Sequence, residues 1–101
     1  MREITIAELE QLQTEGKKIL ADFKARWCGP CKTLIPRIDN MSNDYPDIEF
    51  VSIDVDDNQE GVVKLGIRSV PTVIIYDGIN IVDRSQGANP ESYYKTFLDN
   101  L

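Results

Sequence analysis

The chain has two cysteines, Cys28 and Cys31, which stand three residues apart around Gly29 and Pro30 in the stretch WCGPC. A structural disulfide is one interpretation, but closing so short a loop constrains the unfolded chain little. A structural zinc site needs four ligands, and with no histidine in the chain it would have to be shared across a dimer. Two buried thiols at a coincidental spacing are a third alternative. The spacing favours a dithiol that cycles between reduced and oxidised states, with no metal.

The residues around the two sulfurs favour different roles for them. A helix predicted to start near Pro30 would direct its unpaired backbone N–H groups and positive dipole end at Cys28, which stabilises a thiolate. Proline loses no needed hydrogen bond there, and Gly29 permits the tight turn and leaves the backbone open to a partner. Cys31 would lie on the same helical face, better buried. We therefore expect Cys28 to attack an external disulfide and Cys31 to resolve the mixed disulfide.

Charge is unevenly distributed. Residues 17–37 hold six basic side chains and one acid, whereas residues 39–60 hold eight acids and no base. We interpret the acidic run as a solvated face. The basic cluster surrounds the cysteines, and within it Lys24, Arg26 and Lys32 are expected to add to the local positive field.

Overall composition excludes several classes of protein. The 101 residues carry 11 basic and 17 acidic side chains, a formal charge of −6, which argues against binding to nucleic acid. The apolar runs are too short to span a bilayer. The opening MREITIAELEQLQ lacks the basic-then-apolar layout of a signal peptide, so we expect a cytoplasmic protein. We also expect a monomer.

Strand and helix patterns alternate along the chain. Thr5 and Glu8 form the Thr-x-x-Glu signature of a capping box, Asn89 is expected to cap the last helix with Pro90 at its first position, and Pro36 interrupts the second helix. The predicted elements are an edge strand over 2–5, a helix over 6–14, strands over 18–23 and 48–55, a helix from about 30, a helix over 59–65, strands over 70–78 and 80–86, and a helix from 90.

These elements predict an α/β fold in one domain over residues 1–101. Strands separated by helices pair in parallel, and the Asp-Gly turn before the last strand favours a closing antiparallel hairpin. We expect a three-layer sandwich, with a central mixed sheet of four to five strands flanked by four helices.

With these motifs the chain resembles the thioredoxin family. ILADFKARWCGPCK fits the segment of that family that leads into the active site, LGIRSVPT fits its cis-proline loop, and the Asp-Gly turn followed by Gly87 fits its closing hairpin. The resemblance implies the thioredoxin-like fold and a protein-disulfide reductase that needs no bound organic cofactor. Implied partners are disulfide-containing client proteins and, as electron donor, an NADPH-dependent flavoprotein reductase.

Asp22 lies inside an apolar strand, where alternation directs it into the core. An unpaired buried carboxylate is costly, so burial favours its protonated form. A carboxylate paired with a lysine or a hydroxyl is the alternative. The resemblance implies a proton carrier for Cys31.

The resemblance also implies a substrate groove beside the cysteines. It predicts a cis peptide between Val70 and Pro71, with the Val70 backbone bonding an extended substrate segment. Gly87 and Ala88 would complete the groove, and Trp27 would cover the motif and help to form the docking surface. A strand-start proline, a plain loop and a packing tryptophan are the alternatives.

Two positions depart from the family pattern. Lys24 stands where many thioredoxins have an aromatic residue, and we expect it to favour acidic partners. Ser52 stands where many carry a lysine near the buried aspartate, which leaves open how the Asp22 proton is handled. Two other functions remain: the same chemistry run as an oxidant or isomerase in an exported compartment, and a binding subunit whose redox cycling is incidental.

Overall fold

The computed structural model describes every residue from Met1 to Leu101. In chain order its elements are β1 (Arg2–Glu3), α1 (Ile6–Thr14), β2 (Lys18–Lys24), α2 (Gly29–Ser42), β3 (Glu49–Asp54), α3 (Gln59–Lys64), β4 (Thr72–Asp77), β5 (Asn80–Gln86) and α4 (Glu91–Leu98). All the elements predicted from the sequence are present, including the short edge strand.

The strands form one mixed sheet in the order β1-β3-β2-β4-β5. The first three strands of this order pair in parallel, whereas β4 is antiparallel to both β2 and β5. Gly78, in the β4–β5 turn, has a φ of +60°, a conformation that glycine adopts without the steric cost of a side chain. The mixed sheet and the closing hairpin confirm the predicted topology.

Each face of the sheet is covered by two helices. Helices α1 and α3 pack on one face through Leu9, Leu12 and Val62, against Phe23 and its neighbours. On the other face α2 and α4 contribute a second set of buried side chains: Leu34, Ile38, Met41, Tyr94 and Leu98. The arrangement is the expected three-layer sandwich, and β2 lies at its centre with Asp22 on the face that α2 and α4 cover.

Two helix starts differ in detail from the prediction. Helix α2 begins at Gly29 with Cys28 as its N-cap, one residue earlier than expected. The predicted cap of α4 is wrong, because Pro90 is the N-cap and Asn89 lies outside the helix. Asn89 instead uses its side-chain amide to donate to the Gln86 carbonyl at 3.4 Å, and its backbone N–H to donate to the Tyr94 hydroxyl at 3.2 Å. None of the four helices combines the length and the apolar character that crossing a bilayer requires.

Candidate active site

Cys28 and Cys31 are joined by a disulfide bond at the start of α2. Cys28 has extended backbone angles, as an N-cap residue does, and its Sγ accepts a hydrogen bond from the Cys31 backbone N–H at 3.2 Å. Both cysteines are buried, Cys28 to 3% exposure and Cys31 to 1%, which agrees in direction with the prediction that Cys31 is the better buried. Gly29 and Pro30 between them are exposed.

This geometry places one sulfur at the electropositive end of a helix. The first N–H groups of a helix have no partner within it, and their partial positive charge favours an anion at the cap. The hydrogen bond from the Cys31 N–H is already directed at the Cys28 sulfur. The same donor will stabilise a thiolate once the disulfide is reduced.

Two cations of the basic cluster, Lys24 and Arg26, are paired with carboxylates. Arg26 lies 3.0 Å from Asp54, 3.5 Å from Asp57 and 3.9 Å from Glu3. Lys32 remains exposed. Carboxylate partners offset the charge of Arg26, whereas the backbone N–H of Cys31 at the helix N-terminus acts directly on the Cys28 sulfur.

Lys24 does not present a free positive charge to a docking partner. Its side chain is only 14% exposed, and its Nζ lies 2.5 Å from Glu3 and 4.0 Å from Asp54. The two carboxylates offset its positive charge, and the expected preference for acidic partners stays a prediction.

Asp22 is fully buried, and neither of its carboxyl oxygens has a hydrogen-bond partner. Burial raises the pKa of Asp22 from 3.8 to about 7, with Lys24 opposing the rise and Asp39 adding to it. The alternative of a carboxylate hydrogen-bonded to a hydroxyl is not seen, although Ser52 is its register partner on β3. The group is positioned to exchange a proton near neutral pH.

Trp27 is a surface residue held in place at one atom. Its side chain is 70% exposed, and its Nε1 donates a hydrogen bond to the Asp56 carboxylate at 2.8 Å. The tryptophan therefore does not serve as core packing. It borders a shallow cavity of about 140 Å³ whose other lining residues are Val55, Val62, Ile67, Arg68, Ser69 and Val70.

The loop before β4 approaches the cysteines from the other side. The peptide bond between Val70 and Pro71 is cis, as predicted, and Val70 packs against the cluster formed by Ala25, Cys28 and Cys31. Gly87, with a φ of +83°, donates its N–H to the Pro71 carbonyl at 2.9 Å. Ala88 follows, and its carbonyl accepts a hydrogen bond from Arg37 at 3.4 Å. The fold thus brings Val70 against the cysteines and bonds Gly87 to Pro71, while a substrate groove at this place stays a prediction.

The acidic partners of this site were missed from the sequence. Asp54, Asp56, Asp57 and Glu3 belong to segments interpreted as a solvated face or a plain edge strand. A signal was present, because β2 and β3 were predicted to be parallel and their carboxyl ends then meet at one edge of the sheet. Lys24, Arg26 and the Trp27 N–H lie at or just after the end of β2, so carboxylates at the end of β3 are acceptors within reach. No cluster of three or more histidine, cysteine, aspartate or glutamate side chains is arranged to hold a metal ion.

Comparisons with known proteins agree with this geometry. The thioredoxin family model matches residues 4–100. Thioredoxin from Mycoplasmoides gallisepticum is 41% identical over 92 residues, which cover 91% of this chain and 92% of that protein. Thioredoxin from Pseudomonas aeruginosa is 34% identical over 99 residues, covering 95% and 91%.

A solved structure extends the similarity to the whole fold. The crystal structure of Fasciola hepatica thioredoxin superposes with a TM-score of 0.88 at 36% identity and covers 100% of both chains. Together with the disulfide at the N-terminus of α2, these matches make the chain a thiol–disulfide oxidoreductase. It belongs to the thioredoxin family.

Proposed function

We propose that the chain works as a one-domain, monomeric protein-disulfide reductase in the cytoplasm, with Cys28 as the attacking residue and Cys31 as the resolving residue. The observation that carries these assignments is the hydrogen bond from the Cys31 N–H to the Cys28 sulfur at the N-cap of α2. A dithiol that donates electrons suits a reducing compartment, where thiols are kept reduced.

The first step is attack on a substrate disulfide. The Cys28 thiolate forms a bond to one substrate sulfur, the substrate S–S bond breaks, and the other substrate sulfur leaves as a thiolate that takes a proton from water. The helix N-terminus favours the ionised form of Cys28 before attack. Cys28 is then held in a mixed disulfide.

The second step releases the reduced product. Cys31 gives its proton to the Asp22 carboxylate, and the resulting thiolate attacks the Cys28 sulfur. The bond between Cys28 and the substrate breaks, the Cys28–Cys31 disulfide forms, and the second substrate sulfur leaves. Two electrons have passed to the substrate. An NADPH-dependent flavoprotein reductase would return them to the protein.

Substrate would dock in the groove beside the disulfide. The Val70 backbone would bond an extended segment, in the manner of an added strand, and Gly87 and Ala88 would complete the groove. Trp27 offers an exposed aromatic face at the edge of the 140 Å³ cavity. The cavity is lined mainly by apolar side chains, which suits an apolar side chain of the docked segment.

Reduction of insulin by dithiothreitol, followed by turbidity, tests the activity. We expect Cys28→Ser and Cys31→Ser both to lose catalysis, and only Cys31→Ser to accumulate a mixed disulfide with client proteins. Accumulation on Cys31 in the Cys28→Ser variant instead would reverse the assigned roles. Catalysis that survives both substitutions would refute the proposal.

A further inference from the structure

The carboxyl of Asp22 has no charged partner on the neighbouring strands that flank it. Its register partners are Ser52 on β3 and Val73 on β4, and neither can carry a charge. Its oxygens accept no hydrogen bond. Without a nearby cation, a fully buried carboxyl of this kind stays protonated well beyond neutral pH.

Lys24 lies on the same face of the same strand. Side chains two residues apart in a strand project to one side, with Cα atoms about 6.6 Å apart. The Lys24 side chain is held on that side by Glu3 from β1 at 2.5 Å and by Asp54 from β3 at 4.0 Å. Arg26 lies closer to Asp54 than Lys24 does, at 3.0 Å, so the negative charge of Asp54 is offset mainly by Arg26.

We propose that Lys24 is the positioning residue for the Asp22 proton: its clamped ammonium, supplied from within β2, keeps the carboxyl exchangeable near neutral pH, a task for which β3 offers only Ser52. The inference rests on the proposed function, in which Asp22 takes the Cys31 proton. The contact with Glu3 at 2.5 Å restrains the ammonium on this side of the strand, and Asp54 lies 4.0 Å away, so Lys24 is less free to swing away from Asp22 than a lysine without partners.

The other charges around Asp22 do not provide an equivalent cation. Asp39 approaches from α2 and acts in the opposite direction, and its own charge is offset by the N-terminal ammonium of Met1 at 2.6 Å. Tyr94 faces the site from α4. Burial raises its pKa above the ordinary value of 10.0, so its hydroxyl is neutral at pH 7. Lys24 is the cation whose field opposes the effect of burial on Asp22.

Titration of the Asp22 side-chain carboxyl by carbon NMR in the oxidised protein tests the proposal directly. Lys24→Met keeps the packing of the aliphatic stem and removes the charge. We expect it to raise the pKa of Asp22 from about 7 to above about 8. Lys24→Arg should restore a value near that of the parent chain.

Lys18→Met is the matched control. Lys18 stands on the same face of β2 but about 13 Å from Asp22 along the strand, so its removal should leave the titration unchanged. Should Lys24→Met fail to fold, Glu3→Gln provides the second arm. Glutamine keeps an amide oxygen that can still accept a hydrogen bond from the Lys24 ammonium, while the negative charge that offsets this ammonium is lost, so the pKa of Asp22 should fall. An Asp22 titration that does not move in Lys24→Met, or in Glu3→Gln, overturns the proposal.

A kinetic measurement separates this inference from the proposed function. The rate at which Cys31 resolves a preformed mixed disulfide on Cys28 is followed against pH, and Lys24→Met should move its midpoint upward together with the NMR titration. A moved titration with an unmoved rate profile supports the assignment of Lys24 and counts against Asp22 as the proton acceptor. An unmoved titration refutes the assignment and leaves the reductase mechanism intact.

Discussion

Replacing Asp22 by asparagine should stabilise the protein, and increasingly so as the pH rises. The native carboxyl has a pKa of about 7, whereas in the unfolded chain it has its ordinary value of 3.8. Between these values the folded protein holds a proton that the unfolded chain has lost, so the free energy of unfolding falls as the pH increases. At 1.36 kcal/mol for each pKa unit, the loss is about 4 kcal/mol once the pH exceeds 7.

Asparagine isolates this effect. It has nearly the volume of aspartic acid, is uncharged, and leaves the same site without hydrogen-bond partners, so it mimics the protonated form. The two proteins should therefore unfold with similar free energies below pH 4. Above pH 8 the Asp22→Asn protein should be more stable by about 4 kcal/mol.

Urea unfolding of the oxidised proteins at a series of pH values measures the difference. Asp77→Asn, which removes an exposed carboxylate at the end of β4, is the matched control and should follow the parent chain at every pH. A stability difference between Asp22→Asn and parent that does not vary with pH would show that the carboxyl titrates normally in the folded protein. Burial would then not raise the pKa of Asp22.

Three further experiments probe a packing contact, a helix cap and the hydrogen bond of Trp27. Gly61→Ala would place a Cβ 2.7 Å from the Cγ1 atom of Ile6. Even after the gain in helix propensity it should destabilise the fold by about 1 kcal/mol. Adding Ile6→Ala should abolish that cost, and additive effects of the two substitutions in urea unfolding would contradict this. Thr5→Ala removes a capping box and should cost about 1 kcal/mol in the same assay, and an unchanged midpoint would show that the cap contributes nothing. Asp56→Ala releases the indole of Trp27, so the fluorescence anisotropy of this single tryptophan should fall, whereas an unchanged value would mean that the hydrogen bond does not hold the ring.

Local signals in the sequence were sufficient to predict the helices and strands and the two cysteines at the centre of the site. The capping box at Thr5, the apolar strand around Asp22 and the Asp-Gly turn are each decided by neighbouring residues, and all three are present. The cis bond before Pro71 was also predicted, but only through the family resemblance. Spacing alone identifies Cys28 and Cys31 as a pair.

Pairings between distant segments were harder to predict. Lys24 and Arg26 lie beside Glu3 and Asp54 because of the register in which β1, β3 and β2 pair. Composition does not reveal that register. The error at Asn89 has a similar cause. Its backbone N–H bonds to the hydroxyl of buried Tyr94, a contact that outweighs its local preference for a helix cap.

Alkylation of the reduced Cys31→Ser protein by iodoacetamide, followed against pH, measures whether the N-terminus of α2 favours the thiolate of Cys28. This variant leaves Cys28 as the only thiol, and the same protein unfolded in urea is its own control. We expect the alkylation rate of the folded protein to have a pH midpoint clearly below the pKa of about 8.5 of an ordinary thiol. Folded and unfolded protein reacting with the same midpoint would contradict it.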